Sequence, residues 1–327
     1  MKLATFVADG KAPALGWVDR PGRTVIALQA AHKSLFGAEN TFLRDMLSLI
    51  DAQQAGIDLI GGLVERLGSS EEFSHPLDAV QLLSPVPVPA QIRDFSVSLR
   101  HIRDAPRGSK RLKARLAGQP EPAPDPSAPE FPEIYLHQPI YYQGNRFNVV
   151  GHDADILWPG YSEYLDFELE IGMFVGRTGK NIRRSEAHRF IFGYTLFNDF
   201  SARDRQSKEM EGRLGPAKGK SFDTGNAIGP WLVTPDEIPD IISLNATVRV
   251  NGEVWAENTT ADMLYSFEDM IAFVSEDETI HAGEFFGSGT VGGCCGLEMD
   301  RWIADGDVIE LEIEEIGVLR NRVVRPK

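Results

Sequence analysis

In LDFELEI, residues 165–171, acidic and apolar side chains alternate without a break. A period of two belongs to a β-strand, whose successive side chains leave opposite faces. Asp166, Glu168 and Glu170 therefore share one face, while Phe167, Leu169 and Ile171 enter hydrophobic packing on the other. Same-face neighbours stand ~7 Å apart, and at an effective dielectric near 20 each like-charge pair costs about 2.4 kcal/mol. Two arrangements remove that cost. Solvent screens the charges if this is a wet outer strand. Alternatively, a hard divalent cation draws several carboxylate oxygens together.

The run IFGYTLFNDFSARDRQ, residues 191–206, carries a second apolar strand into Asn198–Asp199 and then a charged cluster at Arg203–Asp204. An acidic residue closing a buried strand so soon after the first carboxylates makes Asp199 a candidate additional ligand.

The rest of the chain reads as strand-dominated. Short strands with turns at Asp9–Gly10 and Pro21–Gly22 fill the first 30 or so residues. Residues 41–67 have helical periodicity. SPVPVPAQ, residues 84–91, cannot be helix and marks a boundary between a small N-terminal α+β domain, 1–85, and a larger domain, 86–327. A proline-rich tract at 118–132 reads as an extended loop, a candidate lid over the site. Ser185 is read as the N-cap of a short helix, Asn251–Gly252 as a type I′ hairpin turn, and Ser266 with Asp269 as the cap of a helix over FEDMIAFVSE. The expected fold class is mainly β with short helices (α+β), its larger domain a curled, mixed β-roll or barrel.

A net charge of −15 argues against nucleic acid or an anionic membrane as partner. The N-terminus lacks a signal-peptide core, so a cytoplasmic location is expected. Cys294 and Cys295 are the chain's two cysteines; their adjacency suits neither a disulfide nor CxxC metal spacing, and they read as reduced, buried thiols. Two nucleotide motifs fail. Leu214 stands where a P-loop ending at Gly219–Lys220 needs glycine, and GSGTVG at 287–292 has no βαβ context.

Several motifs, taken in order, resemble the fumarylacetoacetate hydrolase family from about residue 90 to 327. FELE is similar to its metal strand, NDFSARDRQ to its acidic run, GKSFDT to its lysine loop and SGTVGGCCGLE to its Gly-rich loop. The resemblance implies Asp94, Glu168, Glu170 and Asp199 as ligands of Mg²⁺ or Mn²⁺, with Ca²⁺ possible, and Lys220 and Thr224 as their supports. From DFSVSLRH it implies His101 as general base, oriented by Glu298, with Lys220 and Gln206 stabilising an oxyanion. Ser96, Tyr142, Thr290, Gln206 and Lys220 would meet substrate. Ser96 occupies a position that holds tyrosine in fumarylacetoacetate hydrolases, and the basic residue for a substrate carboxylate lies among Arg107, Lys110 and Arg111. Asp166 is no ligand in this pattern. The implied activity is metal-dependent hydrolysis of a C–C bond in a β-diketone, acylpyruvate or fumarylacetoacetate-like 2-oxo acid by a homodimer. The alternatives are a lyase, decarboxylase or isomerase of 2-oxo acids on the same metal frame, or a non-catalytic Ca²⁺-stabilised β protein.

Overall fold

The computed structural model describes residues 1–19, 23–123, 131–238 and 240–326. The Pro21–Gly22 turn and residues 124–130 of the proline tract, where a lid was expected, lie outside the described residues.

The alternating runs become strands. Lys2–Val7, Ala14–Val18 and Thr24–Ala27 open the chain. Asn245–Val250 and Glu253–Thr259 form the expected hairpin, with Asn251 at φ 52° and Gly252 at φ 79° as a type I′ turn requires. Val308–Ile313 and Gly317–Val324 close the fold. Ser266 caps Phe267–Val274 reciprocally with Asp269, a complete capping box.

Some local readings change. LRHIRDAPRGSKR, read as loop-like around His101, is part of an 18-residue helix, Leu99–Leu116, with Pro106 inside it. Proline there removes one backbone donor, and the flanking Arg and Lys mask the buried positions Ile102, Gly108 and Leu112. Ser98 starts this helix by accepting the His101 N–H at 3.2 Å. Ser185 lies within the short helix Arg184–Ala187 instead of capping it. The helical periodicity of 41–67 becomes Met46–Leu67, 22 residues with a break at Gln53. Among the described residues no helix is long and apolar enough to cross a membrane.

The architecture is mixed α+β, mostly sheet. One large sheet runs Ser74–Pro76, Thr24–Ala27, Ala14–Val18, Lys2–Val7, Asn226–Val233, Ile191–Asp199, Leu169–Val175, Phe285–Gly287, Ile92–Phe95 and Tyr141–Gly144. It is roll-like and, among the described residues, does not close into a barrel. The N-terminal strands continue this sheet, because Lys2–Val7 pairs antiparallel with Asn226–Val233. A smaller sheet packs against it over a core that includes Phe167, Leu169, Ile171, Leu196, Val248 and Leu311. A second core, with Leu49, Ile50, Ile60 and Phe285, lies under the N-terminal helices.

The strand order positions the site. Asp94, Glu170 and Asp199 come from Ile92–Phe95, Leu169–Val175 and Ile191–Asp199, with Phe285–Gly287 between the first two. Gly287 pairs with Asp94 on one side and with Gly172 on the other. Strands ~4.8 Å apart bring together side chains that are about 30 to 105 residues distant in sequence.

Candidate active site

The wet outer strand is not what forms. Asp166, Glu168 and Glu170 are 1%, 4% and 0% exposed. Nor do they reach one spot, because the strand breaks between them. Leu165–Asp166 pairs with Ser201–Ala202, whereas Leu169–Val175 joins the large sheet. Asn198 accepts the Glu168 N–H at 3.0 Å beside the break. Asp166 turns to the N–H groups of Gly296 and Leu297 at 2.7 and 3.0 Å and to the Arg203 guanidinium at 2.7 Å. Glu168 is held by Arg203 at 2.8 Å and by the Lys220 ammonium.

The carboxylates that converge are Asp94, Glu170 and Asp199, whose oxygens lie within 4.8 Å of one another. Glu168, the fourth expected ligand, adjoins this trio, sharing the Lys220 ammonium with Asp199 and lining the same cavity. Gly287 makes room for the cluster. A Cβ there would lie 2.4 Å from Asp94 Oδ1 and 2.9 Å from Glu170 Oε2. Gly287→Ala is therefore expected to weaken divalent-metal binding at least about tenfold, measured by calorimetric titration.

Five buried carboxylates in this region face two buried cations, Arg203 and Lys220. Burial pushes the Asp94 and Glu170 carboxyls well above the usual range, and neighbouring carboxylates add to the effect. Asp199 is raised by burial too, against the pull of Lys220. Burial alone would raise Glu168, but Arg203 and Lys220 hold it far below the ordinary value. Lys220, which burial alone would depress, is held above its ordinary value by Asp199 and Glu168. Tyr142 donates to Asp199 at 2.8 Å.

Three buried oxygens in the trio, Asp94 Oδ1, Glu170 Oε1 and Asp199 Oδ1, have no hydrogen-bond partner. An all-oxygen donor set with excess negative charge and unused lone pairs suits a hard divalent cation. The residues present fit such an ion.

His101 enters from the Leu99–Leu116 helix. That helix lies close against the chain at Leu297 because Gly108 has no side chain; a Cβ there would stand 2.3 Å from the Leu297 carbonyl oxygen. The approach sets His101 Nδ1 3.3 Å from Glu298 Oε2 and Nε2 3.9 Å from Glu168 Oε1. Glu298 also accepts the Gly293 N–H at 3.1 Å. Burial would raise the Glu298 carboxyl, but His101, Cys295 and the Gly293 N–H bring it below the usual range. Burial would lower His101, yet Glu298 and then Glu168 raise it.

Asp94, His101, Glu168 and Glu170 line a cavity of about 540 Å³ whose wall also carries Ser96, Tyr142, Gln206, Lys220 and Thr290. The buried Thr290 hydroxyl has no partner and is available to a ligand. Gln206 uses its carbonyl oxygen to accept Arg203 at 3.0 Å. Thr224, expected to support the metal, instead accepts the Leu157 N–H at 2.7 Å and does not line the cavity. Among the three basic candidates, Arg107 binds Asp104 and Arg111 caps the Leu297 and Glu298 carbonyls. Lys110 alone of these lines the cavity.

Arg203 is the residue that the sequence reading left without a role. Its signal was the charged cluster after Asn198–Asp199, but a guanidinium bridging Asp166 and Glu168 shows only in three dimensions. Arg203→Ala would leave Asp166 buried with no cation beside it and Glu168 with Lys220 alone. We expect a loss of about 3–5 kcal/mol in unfolding free energy, read by urea denaturation.

The family described as fumarylacetoacetate (FAA) hydrolase, C-terminal, matches residues 108–324. The chain belongs to the fumarylacetoacetate hydrolase family. Its relatives include an uncharacterised protein of Archaeoglobus fulgidus, 33% identical over 253 residues, which are 77% of this chain and 86% of the relative. The mitochondrial oxaloacetate tautomerase Fahd2a of Rattus norvegicus is 36% identical over 190 residues; that match spans 57% of this chain and only 59% of the rat protein. Maleylpyruvate hydrolase from Sphingobium sp. SYK-6, solved with manganese(II) and pyruvate, superimposes with a TM-score of 0.70 over 100% of both chains at 22% identity. At that identity the likeness speaks to the family fold.

Proposed function

We propose that this family member is a metal-dependent hydrolase that cleaves a C–C bond in a small β-dicarbonyl 2-oxo acid of the acylpyruvate or fumarylacetoacetate type. The observation that carries this reading is His101, 3.3 Å from Glu298, on the wall of the same cavity as Asp94 and Glu170, which with Asp199 hold the unpartnered oxygens. A divalent ion held by those three, magnesium or manganese with calcium also suited, would supply Lewis acidity to a chelating carbonyl. The manganese in the Sphingobium neighbour supports that choice.

The chain's own groups do the rest. With Glu298 Oε2 3.3 Å from its Nδ1, the His101 ring would present Nε2 to take a proton from water as the water attacks a carbonyl carbon. The same nitrogen then returns a proton to the departing carbon. The Gln206 amide and the Thr290 hydroxyl are placed on the wall to donate to developing oxyanion charge. Lys220 favours the ionised forms of Glu168 and Asp199. Lys110 supplies a cation for a carboxylate at the far end of the substrate.

The rat oxaloacetate tautomerase favours a second reading, proton transfer on carbon without bond cleavage. Incubation with acylpyruvates and with oxaloacetate, with and without EDTA, separates the two. Hydrolysis releases two carboxylic acids for each enol lost, whereas tautomerisation changes enol absorbance and releases none. Turnover unaffected by EDTA would remove the metal from either reading. A non-catalytic Ca²⁺-stabilised protein would lose thermal stability on chelation and consume neither substrate.

A further inference from the structure

Cys295 is fully buried and has no part in the reaction above. Its sulfur lies 3.1 Å from Glu298 Oε2, and His101 Nδ1 lies 3.3 Å from the same oxygen. A ring nitrogen of His101, the Cys295 sulfur and a Glu298 oxygen all lie within 4.8 Å of one another. The buried Nδ1 approaches Glu298 off-axis and makes no aligned hydrogen bond. We propose that His101, Cys295 and Glu298 form a second metal site, selective for a thiophilic dication such as zinc and distinct from the all-oxygen trio.

The donor chemistry separates the two sites. Asp94, Glu170 and Asp199 offer oxygen alone, which suits Mg²⁺ and Mn²⁺, whereas sulfur with imidazole selects zinc-like ions. Zn–S bonds of ~2.3 Å and Zn–N or Zn–O bonds of ~2.0–2.2 Å in a tetrahedron put donors roughly 3.3–3.7 Å apart. The observed 3.1 and 3.3 Å contacts are within small rotamer adjustments of that spacing. Three protein ligands leave a fourth position, and His101 lines the cavity through which an ion would arrive. On binding, a Zn–S bond forms as the S–H bond breaks, and the thiol proton leaves to water with no change of oxidation state. Thiolate and carboxylate then balance the dication. Cys294 does not compete, since it belongs to the main hydrophobic core while Cys295 packs with Leu112 and Leu297. If His101 is the base of the proposed reaction, zinc at this site inhibits where magnesium activates.

The test reads cobalt(II) as a spectroscopic substitute for zinc, titrated into the magnesium-saturated protein. Wild type is expected to develop a near-ultraviolet thiolate-to-cobalt charge-transfer band saturating at one equivalent. Cys294→Ala and Glu170→Gln should keep the band, and Cys295→Ala should lose it. Absence of the band in wild type, or its persistence in Cys295→Ala, overturns the proposal. Should Cys295→Ala not fold, His101→Ala decides: it retains the thiol but should bind cobalt at least about tenfold more weakly, and unchanged affinity is equally fatal. Because the readout needs no turnover, failure of this site and failure of the hydrolase reading are distinguishable.

Discussion

Alanine at position 101 will lower kcat at least about 10²-fold and leave the thermal shift produced by magnesium intact. The ring is the group in the cavity whose two nitrogens face carboxylates with different tasks, Nδ1 toward Glu298 and Nε2 toward Glu168. Removing it deletes the proton acceptor. It does not orphan Glu298, which keeps the Gly293 N–H and the Cys295 thiol. Nor does it touch Asp94, Glu170 or Asp199, so the ion's seat survives. The loss should therefore appear in kcat with little change in KM, because the removed interaction acts as the barrier is crossed. Steady-state kinetics with a turned-over acylpyruvate, beside melting curves with and without magnesium, make the comparison. Turnover near the wild-type rate would take the ring out of the mechanism.

Glu170→Gln is expected to abolish measurable turnover and the metal-induced rise in Tm, while the metal-free protein becomes more stable than wild type. The apparent paradox follows from charge. Glu170 is 0% exposed, and its oxygens meet those of Asp94 and Asp199 within 4.8 Å. At an effective dielectric near 20, one such repulsion is worth about 3.5 kcal/mol, less whatever the cluster relieves by holding a proton. Glutamine keeps the shape and can still accept the Gly289 N–H that Glu170 Oε2 accepts at 3.0 Å. It removes a charge that only a cation makes favourable. Wild type at a metal concentration of ~100 Kd gains about 2.7 kcal/mol, a shift of several degrees, and the variant should gain none. Melting curves in EDTA and in excess magnesium test both halves. A metal-free variant less stable than wild type would show that the carboxylate is held by packing instead of strained by its neighbours.

Much of the fold was legible because its signals are local. The I′ turn at Asn251–Gly252 needs residues that tolerate positive φ, and the Ser266–Asp269 box needs two side chains three residues apart. The helix carrying His101 was hidden because Pro106 and its run of basic residues contradict the pattern, and tertiary contact at Gly108 and Leu112 overrides them. The candidate site residues were named through ordered motifs, and in the structure His101 lies 3.3 Å from Glu298. Arg203 and the cations that hold Glu168 were not legible, since both depend on which buried charges end up adjacent.

The alternation in LDFELEI determined by itself that carboxylates and core residues leave one strand on opposite sides, because side-chain direction is a property of the backbone. Where each carboxylate ends was decided by tertiary structure. The strand breaks between Asp166 and Leu169 and splits its acids between an arginine, a lysine and a buried oxygen cluster. Desolvation makes every one of those charges too costly to leave without a partner, and the partners come from strands and loops that no local pattern connects.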